Sequence, residues 1–468
     1  QETSVIIGYI EGTARGTEFI ETALRITRRK PVILIKSGVS EAGARAASSH
    51  TGSMAGSEVA FNSALQKSGV LRAKTVEELF DYAVAFSSQP LPRNNRLVIL
   101  TNAGGPGIMA TDAIAESRIA MARLQDDTVN RLKEKLPPAA AFYNPVDIIG
   151  DARADRYQAA LEAVLDDPGV DGVVVLLTPQ GMTQIEETAK SVAYTSLVVD
   201  KPILASFMGG DMVGSGRKTL QRNRIPSYGF PERAVNVFGK MVDYVTWKQR
   251  PEPEIREEEF SRDAVEKILR DEVIGSGRAE AGGERALRIL GAAGIRIPEY
   301  KIAESLEKEK KAAGEYGYPV VLKVASPDIS HKSDVGGVKV GIENESRLEE
   351  EHRNIMVNCR RAVPDAVIHG VEVHRMVSGR ELVVGMNRDP QFGPLMMFGL
   401  GGVYVEIMKD VSFCIAPLSE RDIDEMMFGI KSAPLLTGAR GEKSRDIDAV
   451  KKTLRVVSAL VTSFEEII

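Results

Sequence analysis

Strand-length apolar runs alternate with amphipathic stretches from the start of the chain, and this alternation predicts parallel α/β units. Val5–Ile10 reads as a buried strand, Gly16–Arg28 as a helix and Val32–Ile35 as the next strand. A loop of small residues, Lys36 to Gly56, then leads into helices predicted over Ser57–Lys67 and Val76–Phe86. The stretch Ser87–Asn95 is polar, carries two prolines and has no periodicity, which marks a boundary. A second α/β set follows. Its predicted strands are Leu97–Thr101, Gly172–Leu177 and Pro202–Phe207, and its helices are Ile108–Glu116, Ile185–Tyr194 and Glu232–Tyr244.

Beyond Arg250 the pattern changes. Arg250-Pro251-Glu252-Pro253-Glu254 and the glutamates at 257–259 read as a linker, because prolines and like charges resist packing. Helices at Arg262–Arg270 and Gly283–Ala293 precede β-rich segments at Val320–Val324, Val335–Ile342, Val367–Met376, Glu381–Asn387 and Val403–Ile407. That mixture predicts an α+β domain rather than a doubly wound sheet. The expected organisation is 1–90, 91–250, a linker at 251–260 and 261–468, which suits 468 residues at about 100–200 per domain.

A net charge of −5 and 6% aromatic residues, with no basic stripe, argue against a nucleic-acid partner. No apolar run reaches the roughly 18–20 residues that a membrane span needs. Cys359 and Cys414 make no disulfide framework and read as reduced core residues. Without a signal-peptide pattern at its start, the chain is expected in the cytoplasm. Both ends read as cut, since each lies against an apolar run, so a piece of a longer polypeptide is expected.

Three stretches carry candidate chemistry. In Ser48-Ser49-His50-Thr51-Gly52-Ser53 a single imidazole stands among small hydroxyl-bearing residues, a loop suited to crowding N–H and O–H groups round an anion. Glu11 ends the first predicted strand, at the sheet edge where ligands of open α/β sheets bind. A carboxylate there can fix the tautomer of His50 and leave its other nitrogen nucleophilic; equally, Glu11 can serve the N-terminus of the next helix. The second stretch, Thr101-Asn102-Ala103-Gly104-Gly105-Pro106-Gly107, follows a strand and opens a helix, a natural anion site. In the third, Lys323 stands in the apolar strand Val320–Val324, where a cation either meets a phosphate or reaches solvent at the strand end.

Ile10-Glu11-Gly12 together with Ser49-His50-Thr51-Gly52 resembles the ligase half of NDP-forming acyl-CoA synthetases, the superfamily that includes succinyl-CoA synthetase. The resemblance implies that His50 is a phosphohistidine held by Glu11, and that Gly104, Gly105 and Gly107 open a helix facing its phosphate. Asn144-Pro145-Val146-Asp147 resembles a family segment near the acid substrate. Lys323, the loop 325–334, Gly336-Gly337 and Met376-Val377-Ser378-Gly379-Arg380-Glu381 resemble an ATP-grasp domain. That likeness implies Lys323 on the phosphates, Met376 and Val377 at the adenine hinge, and Glu381 on the ribose. It also places Gly336 and Gly337 near the phosphates.

Ser330-His331-Lys332-Ser333-Asp334 matches the ADP-forming acetyl-CoA synthetase branch, which implies that His331 is a second relay histidine. His352, His369 and His374 read as structural. The fold implied is α/β: two flavodoxin-like or Rossmann-like CoA-ligase domains followed by an ATP-grasp domain. The activity implied is an acid–thiol ligase using ATP/ADP, Mg²⁺ and CoA, with no assigned metal ligands. Its N-terminal CoA-binding domain and its C-terminal metal-binding end are expected outside this chain. The expected partners are small molecules, a CoA-binding domain or further copies of the chain. A catalytically inactive acyl-CoA or nucleotide sensor, or another ATP-grasp carboxylate ligase, stands as the alternative.

Overall fold

The computed structural model describes residues 3–38, 57–256, 258–274, 282–329, 331–402, 405, 407–438 and 444–467. Gln1–Glu252 together with the short segment Asp389–Gly393 form one compact unit, and the remainder from Pro253 forms a second.

The first unit opens with β1 (Ile6–Ile10), α1 (Gly16–Thr27), β2 (Val32–Lys36), α2 (Glu58–Ser68), β3 (Leu71–Ala73) and α3 (Val76–Ser88). The strands pair in parallel in the order β1-β2-β3. β2 is the central strand, and four of its five residues are buried, as its unbroken apolar sequence anticipates. Helix α2 starts where the Ser57 hydroxyl accepts from the N–H of Ala60 at 3.0 Å. It stops at Gly69, whose φ of 71° lies in the left-handed region. A Cβ there would also fall 2.2 Å from the Trp247 ring, so glycine is required twice over.

The second sheet is built from β4 (Arg96–Thr101), α4 (Gly104–Ala115), β5 (Ala120–Met121), α5 (Asp126–Lys135), β6 (Val146–Asp147) and α6 (Ala154–Asp166). It continues with β7 (Gly172–Leu177), α7 (Ile185–Ser196), β8 (Ile203–Phe207), α8 (Gly214–Arg222), β9 (Ser227–Tyr228) and α9 (Pro231–Lys248). Its parallel strands run β5-β4-β7-β8-β9, with β6 also paired to β4. Alternate residues serve two cores. Val98, Leu100, Val173 and Val175 pack with Tyr157 and Leu161 of α6. Leu97, Ile99, Val174 and Leu176 pack with Phe238, Met241 and Tyr244 of α9, and Ile33 and Leu71 of the first sheet join that same core.

The second unit contains α10 (Arg262–Lys267), α11 (Gly282–Ala292), β10 (Tyr300–Ala303), α12 (Leu306–Tyr316), β11 (Val320–Ala325), β12 (Val338–Ile342), α13 (Glu345–Ala362) and β13 (Gly370–Arg375). After these come β14 (Leu382–Asp389), β15 (Gly393–Leu400), β16 (Val411–Ile415), α14 (Glu420–Phe428), α15 (Pro434–Thr437) and α16 (Ile447–Ser463). One antiparallel sheet runs β10-β13-β11-β12, and a second runs β14-β15-β16. Two expectations shift here. The strand expected over Val335–Ile342 begins only at Val338, because Ser333–Gly337 closes a tight turn. The strand expected at Val403–Ile407 lies largely outside the described residues, whereas β15 and β16 on either side of it escaped the pattern. Gly393-Pro394-Leu395-Met396-Met397-Phe398 has no period-two alternation, so its type was not legible.

Candidate functional site

The first candidate site lies at the C-terminal edge of β1 and β2. Ile10 and Lys36 are paired across the two strands, and the N–H of Ser37 donates to the carbonyl of Ile10 at 3.1 Å. Glu11 follows Ile10, half-buried, and accepts from the Tyr9 hydroxyl at 3.3 Å. Glu11 therefore stands beside the point where the chain leaves for residues 39–56. His50 is within that stretch and lies outside the described residues. The far end of the stretch returns at Ser57, whose N–H donates to Oδ2 of Asp389 at 3.0 Å.

Asp389–Gly393 is a part of this site that the sequence did not disclose. Asp389 is 4% exposed, and its Oδ1 accepts from the N–H groups of Gln391 and Phe392 at 2.9 and 3.0 Å. Phe392 packs edge-on to Phe19 and Phe61. The carbonyl of Gln391 accepts from the N–H of Gly16 at 3.0 Å, and a Cβ on Gly12 would fall 2.8 Å from Nε2 of Gln391. The glycine after Glu11 thus makes room for this segment. Lys36 is a second surprise: its side chain is 1% exposed, with Nζ 3.9 Å from Oε2 of Glu58 and 5.4 Å above the Phe61 ring. The only sequence signal for it was a lysine ending the apolar run Val32–Ile35.

At the C-terminal edge of the second sheet, Asn102 is locked between strands. Its Nδ2 donates to the carbonyl of Thr178 at 2.8 Å and its Oδ1 accepts from the N–H of Thr178 at 2.9 Å. Helix α4 starts next to it without a side-chain cap. Gly104 and Gly105 are exposed, and a Cβ on Gly105 would meet nothing within 4 Å. Their N–H groups belong to the first turn, at the positive end of the helix, where no intrahelical carbonyl is available to them. Gly107 is buried against Thr101 and Pro145 and serves packing. The Asp147 carboxylate stands beside this turn: its Oδ1 accepts from the N–H of Ile149 at 2.9 Å, and its Oδ2 would lie 3.5 Å from a Cβ on Gly104.

In the second unit, Lys323 is half-buried on β11 directly across from Glu372 on β13. Among the described residues the Lys323 ammonium has no hydrogen-bond or ion-pair partner. Glu372 is already engaged, by Nζ of Lys332 at 2.8 Å and Nε2 of His374 at 2.9 Å. His331 is exposed, next to the buried end of Lys332. The N–H groups of Gly336 and Gly337 both donate within this turn, to the carbonyls of Ser333 and Lys332, and the two glycines let it close. Met376 and Val377 are exposed and begin the connection from β13 to β14. Glu381 ends that connection, its Oε2 beside Gly401 and Gly402 and its carbonyl accepting from the N–H of Gly401 at 2.9 Å.

Three family models match the chain: a succinyl-CoA ligase like flavodoxin domain over residues 1–86, a ligase-CoA domain over 97–249 and an ATP-grasp domain over 272–468. The chain is 43% identical over 469 residues to acetate–CoA ligase (ADP-forming) I of Archaeoglobus fulgidus, covering 100% of this chain and 67% of that protein. It is 39% identical to 4-hydroxybutyrate–CoA ligase (ADP-forming) of Nitrosopumilus maritimus over 470 residues, with the same coverage. Among solved structures, the dinucleotide forming acetyl-coenzyme A synthetase 1 of Ca. Korarchaeum cryptofilum, in complex with phosphate and ADP, superposes with a TM-score of 0.51 at 39% identity. That match covers 53% of this chain and 54% of the other. The chain thus spans about two thirds of the length of the curated relatives it matches.

Proposed function

The chain belongs to the NDP-forming acyl-CoA synthetases, in their ADP-forming branch, and from that premise we propose that it carries the phosphoryl relay of an acid–thiol ligase. The enzyme interconverts acyl-CoA, ADP and phosphate with a carboxylic acid, CoA and ATP. One observation carries the reading of its residues: the hydrogen bond from Ser37 to Ile10 puts Glu11 beside the root of the segment that holds His50.

The chemistry runs in four transfers. A phosphate oxygen attacks the thioester carbonyl, CoA leaves as the thiolate, and an acyl phosphate remains. A ring nitrogen of His50 then attacks phosphorus and the carboxylate leaves. The Glu11 carboxylate accepts a hydrogen bond from the N–H of the other ring nitrogen and so stabilises the charged imidazole. The N–H groups of Gly104 and Gly105, at the positive end of α4, face the charge on the phosphoryl oxygens. His331 receives the group from His50 and yields it to the terminal phosphate of ADP, with Lys323 countering the charge of the nucleotide phosphates. Met376 and Val377 flank the adenine, and Glu381 takes the ribose hydroxyls. Mg²⁺ supplies charge neutralisation to the phosphates when it is bound. Among the described residues no three carboxylate, histidine or cysteine groups converge as a metal site, so it has no assigned protein ligand here.

Labelling with γ-³²P-ATP tests this function. An acid-labile, base-stable phosphoprotein is the expected result, and His50→Ala should lose the label at position 50 and acyl-CoA-dependent ATP formation while label from ATP remains on His331. Equal labelling from acyl-CoA and radiolabelled phosphate in that variant would remove His50 from the relay.

A further inference from the structure

Lys332 is the residue next to His331, and its amine is directed inward. Its side chain is 15% exposed, and Nζ lies 2.8 Å from Oε1 of Glu372, which is itself 5% exposed. The second oxygen of that carboxylate is held by Nε2 of His374 at 2.9 Å, and the His374 ring is stacked on Tyr300 with centroids 5.3 Å apart. Glu372 is therefore fixed from both sides on the central part of the sheet.

The turn above it is closed. The N–H of Asp334 donates to the carbonyl of His331 at 3.2 Å, and that of Gly337 to the carbonyl of Lys332 at 2.8 Å. The carbonyl of Gly337 in turn accepts from the N–H of Val324 at 2.8 Å, one residue beyond Lys323. A Cβ on Gly337 would fall within 3.1 Å of Val324, Lys332 and Cys359, which leaves the turn little room to shift. Burial pushes the Glu372 carboxyl up, but the hydrogen bonds of His374 and Lys332 outweigh it and hold it below its usual range, so it stays a carboxylate.

We infer that the Lys332–Glu372 ion pair, backed by His374, is the anchor that holds His331 as a stationary phosphoryl station. Lys332 and Glu372 are positioning residues. The inference rests on the relay role of His331 proposed above. The pairing has a second consequence. Glu372 faces Lys323 across the strands, and a carboxylate occupied by Lys332 does not neutralise the cation that awaits the nucleotide phosphates.

The test uses the full-length protein with acetyl-CoA, phosphate and ADP. In Glu372→Gln, and in the Lys332→Met/Glu372→Gln double variant, phosphorylation of His50 from acetyl-CoA and phosphate should be unchanged. ADP affinity should also hold, because the double variant leaves no carboxylate to capture Lys323. Transfer through His331 should fall by about 10- to 100-fold, the effect of a displacement of about 1 Å at a reacting group. Phosphate on His331, mapped by mass spectrometry after labelling with ATP, should fall in parallel, whereas Lys332→Arg alone, which keeps the pair with Glu372, should retain most of it. Normal transfer in both variants overturns the anchor. Loss of transfer with an equal loss of ADP affinity also overturns it, since that is the mark of general damage to the domain. His331→Ala separates the two ideas. If it makes ATP at the normal rate, the relay reading fails whatever the anchor variants do; if it is inactive while they are normal, the anchor alone fails.

Discussion

The N–H of Ser57 donates to Oδ2 of Asp389 at 3.0 Å although 332 residues separate them in the chain. Ser57 is the first described residue after the stretch that holds His50, and it caps α2 as well. Asp389 accepts two further N–H groups, from Gln391 and Phe392, so one buried carboxylate closes a turn and fixes one end of the histidine segment.

Asp389→Ala should therefore act on stability and on chemistry together. Three donors lose their partner, and each buried donor left unmet costs about 1–3 kcal/mol. Denaturant unfolding of the first unit should show a loss of about 2–4 kcal/mol, partial relaxation absorbing the rest. Phosphorylation of His50 from acetyl-CoA and phosphate should slow, whereas ADP binding should not change. Asp389→Asn keeps an acceptor oxygen and should recover part of both. An alanine variant as stable as the parent would show that Asp389 does not hold this turn.

A buried pair in the second unit predicts a pH dependence. Nδ1 of His352 lies 2.8 Å from Oε1 of Glu309, which is fully buried and whose Oε2 has no partner among the described residues. Burial pushes the Glu309 carboxyl up to about 8 and the His352 imidazole down, so both are neutral near pH 7. A raised carboxyl means that the folded state binds the extra proton, and stability falls as pH rises from the unfolded value toward 8. The depressed imidazole acts oppositely, but only below its ordinary value of 6.5. Between pH 6.5 and about 8 Glu309 acts alone, at up to about 1.4 kcal/mol per pH unit. Unfolding of the second unit should need less denaturant at pH 8 than at pH 6.5. Glu309→Gln should flatten that slope, and a slope identical to the parent's would remove Glu309 as its source.

These two relationships show where the sequence was legible and where it was not. Strands β1, β2, β4, β7, β8 and β11 lie in continuous apolar runs, and Glu11, Gly104 and Lys323 lie at ends or interruptions of such runs. A pattern with a period of two or 3.6 residues exposes such positions directly. Asp389–Gly393 belongs by compactness to a unit 137 residues upstream of it in the chain, from Glu252 to Asp389. No local pattern encodes such a contact. Lys332 is similar: beside His331 it reads as one more polar loop residue, and only the folded turn after β11 brings its amine to Glu372 of β13, at 2.8 Å. For Gly336 and Gly337 the resemblance to an ATP-grasp domain set them near phosphates, and the structure adds what no residue pattern announced, that their amides close a turn.

Two glycines at helix starts give a matched prediction that separates packing from ligand contact. Gly16 opens α1, and a Cβ there would fall 2.0 Å from the carbonyl oxygen of Gln391. Gly16→Ala must move a backbone and should cost about 1–3 kcal/mol in the stability of the first unit. Gly105 lies in the first turn of α4, where a Cβ meets nothing within 4 Å. Gly105→Ala should leave the fold intact and raise stability by up to about 1 kcal/mol, the difference in helix propensity. Its methyl group nevertheless stands where the proposed phosphate approaches the N–H groups. Phosphorylation of His50 should slow by about tenfold, the effect of one hydrogen bond to a charged group worth about 1.5 kcal/mol. Thermal unfolding and rapid-quench labelling on the two variants give both readings. If Gly105→Ala is more stable and fully active, the N-terminus of α4 has no part in phosphate binding.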